Sequence, residues 1–242
     1  MLVKHSLATL TLYVAAISTS LAEDTSDWKH DVEVGLNGSS GNSDSLSLHA
    51  GYNASYKDAD HGWKFTTAYD KAKSDGVESR NQFIADLQRD WLMHDSPWFA
   101  YAQGRYDWDK FKDWDYRLSA SGGAGYAFLN TDSWRLTGRL GVGGNKTFGD
   151  MEETFTPEAL VAFDAAWSIS EREAVDFNTT FYPNLNKSGE YRNLTNFNWK
   201  MQINDKGTLA MKIGLSNEYD SLAPEGTDKN DFKYNLSLVW GL

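Results

Sequence analysis

From Trp28 onward, apolar and polar side chains alternate with a period of two. This is the pattern of strands whose two faces meet different surroundings. Trp28, His30, Val32, Val34 and Leu36 alternate with Lys29, Asp31, Glu33, Gly35 and Asn37. After a turn at Gly38–Asp44 (GSSGNSD), Leu46, Leu48, Ala50, Tyr52, Ala54 and Tyr56 alternate with Ser45, Ser47, His49, Gly51, Asn53 and Ser55, which reads as a hairpin. Further turns are expected at Lys57–Gly62, Ser74–Gly76, Leu92–Pro97, Lys110–Asp113, Asn130–Ser133, Asn145–Glu152, Ser170–Glu173, Asn184–Glu190, Asn204–Gly207 and Ser221–Asn230. They divide the chain into about twelve strands, and no helical period appears after the N-terminal segment.

The final stretch, Asp231–Leu242 (DFKYNLSLVWGL), places Phe232, Tyr234, Leu236, Leu238, Trp240 and Leu242 on one face. Lys233, Asn235, Ser237, Val239 and Gly241 occupy the other. Left unpaired, such a strand is a template for aggregation, and pairing it with the first strand removes the edge. The expected fold is therefore all-β, a closed antiparallel up-and-down transmembrane β-barrel of about twelve strands with its apolar face toward lipid.

Two patterns favour a membrane barrel over a soluble sandwich. With the N-terminus in the periplasm, the periplasmic turns are mostly short and the opposite loops mostly longer, the asymmetry of outer-membrane barrels. Trp28, Trp63, Trp91, Trp98, Trp134, Trp167 and Trp240, with Tyr56 and Phe128, cluster beside the periplasmic strand ends. Indole rings favour the membrane–water interface, so this set reads as a membrane girdle. A soluble core would place its large residues in mid-strand.

Composition adds limits. The 242 residues suit one barrel domain, and the net charge of -11 argues against nucleic acid as a partner. The absence of cysteine removes disulfides, thiolate metal sites and thiol catalysis. Residues 1–22 read as a cleaved signal peptide: Lys4 and His5, then the short apolar Leu7–Ile17, then Ser20-Leu21-Ala22. Residues 23–242 would form the barrel, exported to the outer membrane.

Several stretches resemble the family known as domain of unknown function 481, described as salt-induced outer membrane proteins. They are Gly38–Leu48 (GSSGNSDSLSL), Ser74-Asp75-Gly76, Tyr182-Pro183 with Gly189-Glu190-Tyr191-Arg192, and above all Trp98–Trp134, which contains WFAYAQGRYDWDKFKDWDYRLSASGGAGYAF. The resemblance implies an outer-membrane β-barrel with a loose association with salt or acid stress. It implies no defined activity or catalytic residue. The ending Trp240-Gly241-Leu242 also resembles the C-terminal signal read by the barrel-assembly machinery, with Leu242 where Phe or Trp is usual.

Candidate chemistry lies on the inward face. Alternation turns Arg105, Arg117, Arg135, Arg139, Arg192, Lys200, Lys212 and Lys233 inward, together with Asp70, Asp86, Asp107, Asp115, Glu158, Asp164, Asp176 and Glu218. Charges in a small lumen must pair or be hydrated, so the set reads either as structural pairing or as the lining of a narrow pore. Glycines 122, 123, 125, 141, 143 and 144 would bend the wall or make room for bulky side chains opposite. The acidic run Asp107, Asp109, Asp113 and Asp115 has no calcium-loop spacing and reads as a solvated outer loop.

Of the histidines, His30, His61 and His94 fall near the periplasmic ends, and His49 points inward without a nucleophile beside it. The expectation is a non-enzymatic barrel, structural or a narrow pore for small solutes or ions, with no cofactor and no metal. Its partners would be outer-membrane lipid and, during biogenesis, the assembly machinery. The alternatives are a barrel hydrolase acting on lipid or peptide, and a soluble periplasmic binding barrel.

Overall fold

A computed structural model of the protein describes residues 28–39, 45–149, 155–222 and 228–242. The expected signal peptide and the tip of the Gly38–Asp44 turn lie outside the described residues. Twelve strands follow one another: β1 (Lys29–Ser39), β2 (Ser45–Lys57), β3 (His61–Ser74), β4 (Val77–Leu92), β5 (Trp98–Asp109), β6 (Tyr116–Asn130), β7 (Trp134–Phe148), β8 (Phe155–Ser168), β9 (Glu173–Pro183), β10 (Tyr191–Gln202), β11 (Leu209–Asp220) and β12 (Asn230–Gly241).

Each strand pairs antiparallel with its sequence neighbours, and β12 returns to β1 to close the barrel. The seam is short. Its register covers Asp31–Val34 against Leu238–Gly241, whereas β1 pairs with β2 from Lys29 to Ser39. One further bond, from the Leu242 amide to the His30 carbonyl at 2.9 Å, extends it.

The alternation is realised around the wall. On β12, Phe232, Tyr234, Leu236, Leu238 and Trp240 are exposed outward, while Ser237 and Val239 are buried inside. With backbone groups paired along the ladders and no free edge, the outward apolar surface meets the requirement for crossing lipid. Several of the polar side chains that face outward bond to one another. Thr179 and Thr195 share a bond of 2.9 Å, Asn193 donates to Thr179 at 3.2 Å, and Asn217 donates to Asn230 at 3.2 Å.

Aromatic side chains form two belts rather than the single one expected. The belt at the end carrying Trp28 and Leu242 is rich in Trp: Trp28 against Tyr56 at 5.3 Å, Trp98 against Tyr126 at 4.9 Å, and Trp134 stacked on Trp167 at 5.0 Å. The belt at the other end is built of Tyr and Phe, with Tyr116 on Phe148 at 4.6 Å and Tyr191 against Phe181 and Tyr219 at 5.0 Å each. A sequence reading weighted toward Trp passes over this second belt.

The turns also refine the expectation. The two-residue connection at Asp75-Gly76 has positive φ at both positions, 50° and 79°, as a tight hairpin turn between right-twisted strands requires. The loop expected from Asn145 begins later, because β7 keeps its period to Phe148: Asn145 is buried inside, and Phe148 joins the aromatic belt.

Candidate functional site

The lumen is filled on one side and open on the other. Phe99 and Tyr101 on β5, Leu160 and Ala162 on β8 and Tyr182 on β9 form a buried apolar cluster inside the barrel, with Leu92 and Leu194 against it. The rings fit because the adjoining wall lacks side chains. A Cβ on Gly125 would sit 2.1 Å from the Phe99 ring, and one on Gly141 2.3 Å from the Tyr101 hydroxyl. Gly123 and Gly143 serve differently: a Cβ there would meet the backbone of the neighbouring strand at 2.0 and 2.1 Å. Making room for rings, as expected, and allowing close approach of neighbouring backbone thus fall to different glycines.

Beside this cluster lies a cavity of about 370 Å³. Its wall carries Glu33, His49, Arg105, Arg139, Lys212 and Glu218 among other polar groups. Uncharged amides face them from β9 and β10, where Asn196 donates to Asn178 at 2.9 Å.

The inward charges sort into four groups. Arg105 bridges Asp86 at 2.8 Å and Asp107 at 2.7 Å; Arg117 continues the chain to Glu218 at 2.9 Å and Asp220 at 3.5 Å. Arg139 holds Asp164 at 3.1 Å and donates to Gln88 at 2.5 Å and Gln103 at 3.2 Å. Arg192 grips Glu158 through two bonds of 2.9 and 2.8 Å and lies over the Tyr182 ring at 4.9 Å. Around the seam, Glu33 receives Lys212 at 2.5 Å, His49 at 3.3 Å and the Ser237 hydroxyl, while His49 meets Asp70 at 2.7 Å. Gln82 links Asp70 at 3.1 Å to Lys233 at 3.1 Å.

Most of the inward residues named from the sequence therefore meet one another, and a few do not. Lys200 approaches Asp31 at 3.6 Å. Arg135 and Asp176 are exposed near the end that carries Trp28 and Leu242. Asp115 lies outside the lumen groups: it sits in the connection before β6, exposed, its amide bonded to the Phe148 carbonyl at 2.8 Å. A loop residue is not bound by strand alternation, which is why counting by twos misplaces it. The acidic run disperses for the same reason: Asp107 is tied inside to Arg105, while Asp109 accepts the Phe111 amide at 3.0 Å.

Several participants were absent from the sequence-derived pore lining, among them Gln88, Gln103, Asp220 and Ser237, and above all two buried residues. Glu33 is buried to 2 % exposure at the centre of the seam cluster, and Gln82 is nearly as buried. Alternation does put Glu33 inside; its partners Lys212 and Ser237, on strands far away in sequence, carry no local signal. Within this cluster the Ser237 hydroxyl bonds Glu33 and not His49, and both ring nitrogens of His49 face carboxylates. That is not a nucleophile poised beside a base. Among the described residues no group of His, Asp and Glu is arranged to hold a metal ion.

These features define a closed twelve-stranded barrel of the outer-membrane type with a charge-paired interior. Residues 32–242 match the model of the family described as "Protein of unknown function, DUF481", and the chain belongs to that family. A comparison with curated protein sequences found no match. Among solved structures, the NanC porin superposes with a TM-score of 0.54 at 11% identity, covering 88% of this chain and 100% of its own. The COG4313 outer membrane channel from Pseudomonas putida F1 superposes with a TM-score of 0.50 at 11% identity, covering 91% of this chain and 97% of its own. At such identity the likeness is one of fold.

Proposed function

We propose that the protein is a non-enzymatic outer-membrane barrel whose lumen forms a narrow passage for small hydrophilic solutes or ions, with the Trp-rich end on the periplasmic side. The observation that carries this reading is the 370 Å³ cavity lined by paired charges and amides. That volume accommodates roughly a dozen waters. A lumen of this width excludes large solutes, and its near balance of cations and anions favours weak ion selectivity. The apolar cluster of Phe99, Tyr101, Leu160 and Tyr182 narrows the passage on one side. The association with salt or acid stress implied by the family resemblance belongs to the same proposal: a narrow, weakly selective passage would limit osmolyte and ion flux across the envelope.

The test is single-channel recording of refolded protein in a planar bilayer. Small, steady steps with a reversal potential near zero in a salt gradient are expected. Protein that folds and inserts but carries no current would refute the passage and leave a plugged structural barrel.

A further inference from the structure

Four strand cations point outward, Lys71, Lys73, Lys146 and Arg89, and of these Arg89 lies within the Trp-rich belt. Arg89 lies on β4 between Leu87 and Trp91, both exposed outward, and directly opposite Trp63 on β3. Its guanidinium sits over Trp63 at 4.7 Å and Trp91 at 4.8 Å. Stacking of this kind orients the planar group and leaves its N–H donors free in the ring plane. Among the described residues Arg89 enters no ion pair, and its Nε is buried without a hydrogen-bond partner. His61, opposite Trp91 on the same face, also has a buried nitrogen, Nδ1, without a partner. Two outward side chains thus each carry a nitrogen without a hydrogen-bond partner from the protein.

Height decides what acceptor can reach them. Arg89 is three residues from the end of β4 at Leu92, so it lies about 10 Å along the strand from the rim. This is the level of the Trp-rich belt, where indoles sit among lipid headgroups. An arginine costs little there, in contrast to the bilayer centre.

The wall beside Arg89 is also shaped. Arg89 pairs with Ala102, and the outward positions around it on β5 and β6 are small: Ala100, Gly104, Ala120, Gly122 and Ala124. From Leu87 and Gly104 a groove of about 470 Å³, apolar along most of its length, continues along the outer wall to Tyr106, Leu118 and Phe155, with Lys146 at that far end. The groove begins one outward position beyond Arg89 and leads toward the middle of the membrane.

We propose that Arg89, held between Trp63 and Trp91, with His61 beside it, binds the phosphate of a glycerophospholipid in the periplasmic leaflet, one of whose acyl chains lies in the groove over Gly104 and Ala120. Charge complementarity selects the phosphate, and the groove selects a lipid over a free anion. This rests on the membrane placement and orientation given under Proposed function.

The experiment uses full-length protein refolded in dodecylmaltoside micelles, with retained lipid counted by native mass spectrometry. The probes are phosphatidylglycerol, diacylglycerol and inorganic phosphate. One phosphatidylglycerol is expected to stay bound, and Arg89→Gln should weaken it by about tenfold or more, as loss of a charge-assisted bidentate contact does. Gly104→Leu should weaken it by filling the groove; its Cβ meets nothing within 4 Å, so the barrel tolerates it. Arg172→Gln, an exposed turn arginine paired with Asp205 at 2.5 Å, should leave retention unchanged. Equal retention by wild type and Arg89→Gln overturns the site. So does equal retention of diacylglycerol, or complete displacement by inorganic phosphate. Insertion into planar bilayers is scored separately: inserted protein without lipid preference overturns this site alone, and failure to insert overturns the membrane placement.

Discussion

Glu33 on β1 and Lys212 on β11 meet at 2.5 Å although β12 runs between them. Ser237, on that intervening strand, donates to the same carboxylate. Three strands are therefore clipped together at the place where the ladder between β1 and β12 is shortest. A buried carboxylate with three donors compensates for the missing backbone pairs.

Removing this clip should weaken the seam. Glu33→Ala leaves Lys212 and His49 without a shared anion, and loss of one partner of a buried pair costs about 3–5 kcal/mol. The expected result is a lower temperature for the heat-induced mobility shift on gels. An unchanged transition would show that backbone pairing alone closes the barrel. Deleting residues 231–242 should abolish membrane assembly altogether, because β1 and β11 would both become edges.

The apolar cluster makes a paired prediction. Leu160, at 1 % exposure, anchors it, and Leu160→Ala should destabilise the barrel by about 2–5 kcal/mol while raising conductance. Gly125→Leu should fail to fold on its own, since even a Cβ collides with the Phe99 ring at 2.1 Å. Combining it with Phe99→Ala should restore folding, scored by the gel shift. No rescue would mean that Gly125 serves backbone bending instead.

Ion selectivity should follow the lumen charges. Arg139 is the cation facing Asp164, Gln88 and Gln103. Arg139→Gln removes one positive charge and frees Asp164, so the reversal potential in a salt gradient should move toward cation preference. A shift toward anions, or none, would place the limiting constriction elsewhere.

The turn between β2 and β3 carries a pH dependence of known sign. Asp58 has its carboxyl held below the usual carboxylate range by the Tyr56 hydroxyl, at 2.8 Å, and by the amides of His61 and Asp60. Its contribution is complete above the unfolded value, about 3.9, and is lost only as pH falls through the lower folded value. Proteolysis of the turn should therefore stay constant from neutral to mildly acid pH and rise in stronger acid. Asp58→Asn should remove that acid step; an identical pH profile in the variant would locate the titration elsewhere.

The sequence by itself determined strand number, the facing of nearly every side chain and the need for closure. These depend on a period of two, and that period is local. It also set the Trp belt, because an outward indole near a strand end is visible without knowing its neighbours. The tertiary structure alone decided which charges meet: Arg117 finds Glu218, and Glu33 finds Lys212, across sequence distances that carry no periodic signal. It decided that Asp115 stays in a connection, where alternation has no hold. It also decided that Phe99, Tyr101, Leu160 and Tyr182 fill one side of the lumen, since curvature of a closed wall brings together inward apolar side chains that single strands show only as scattered exceptions.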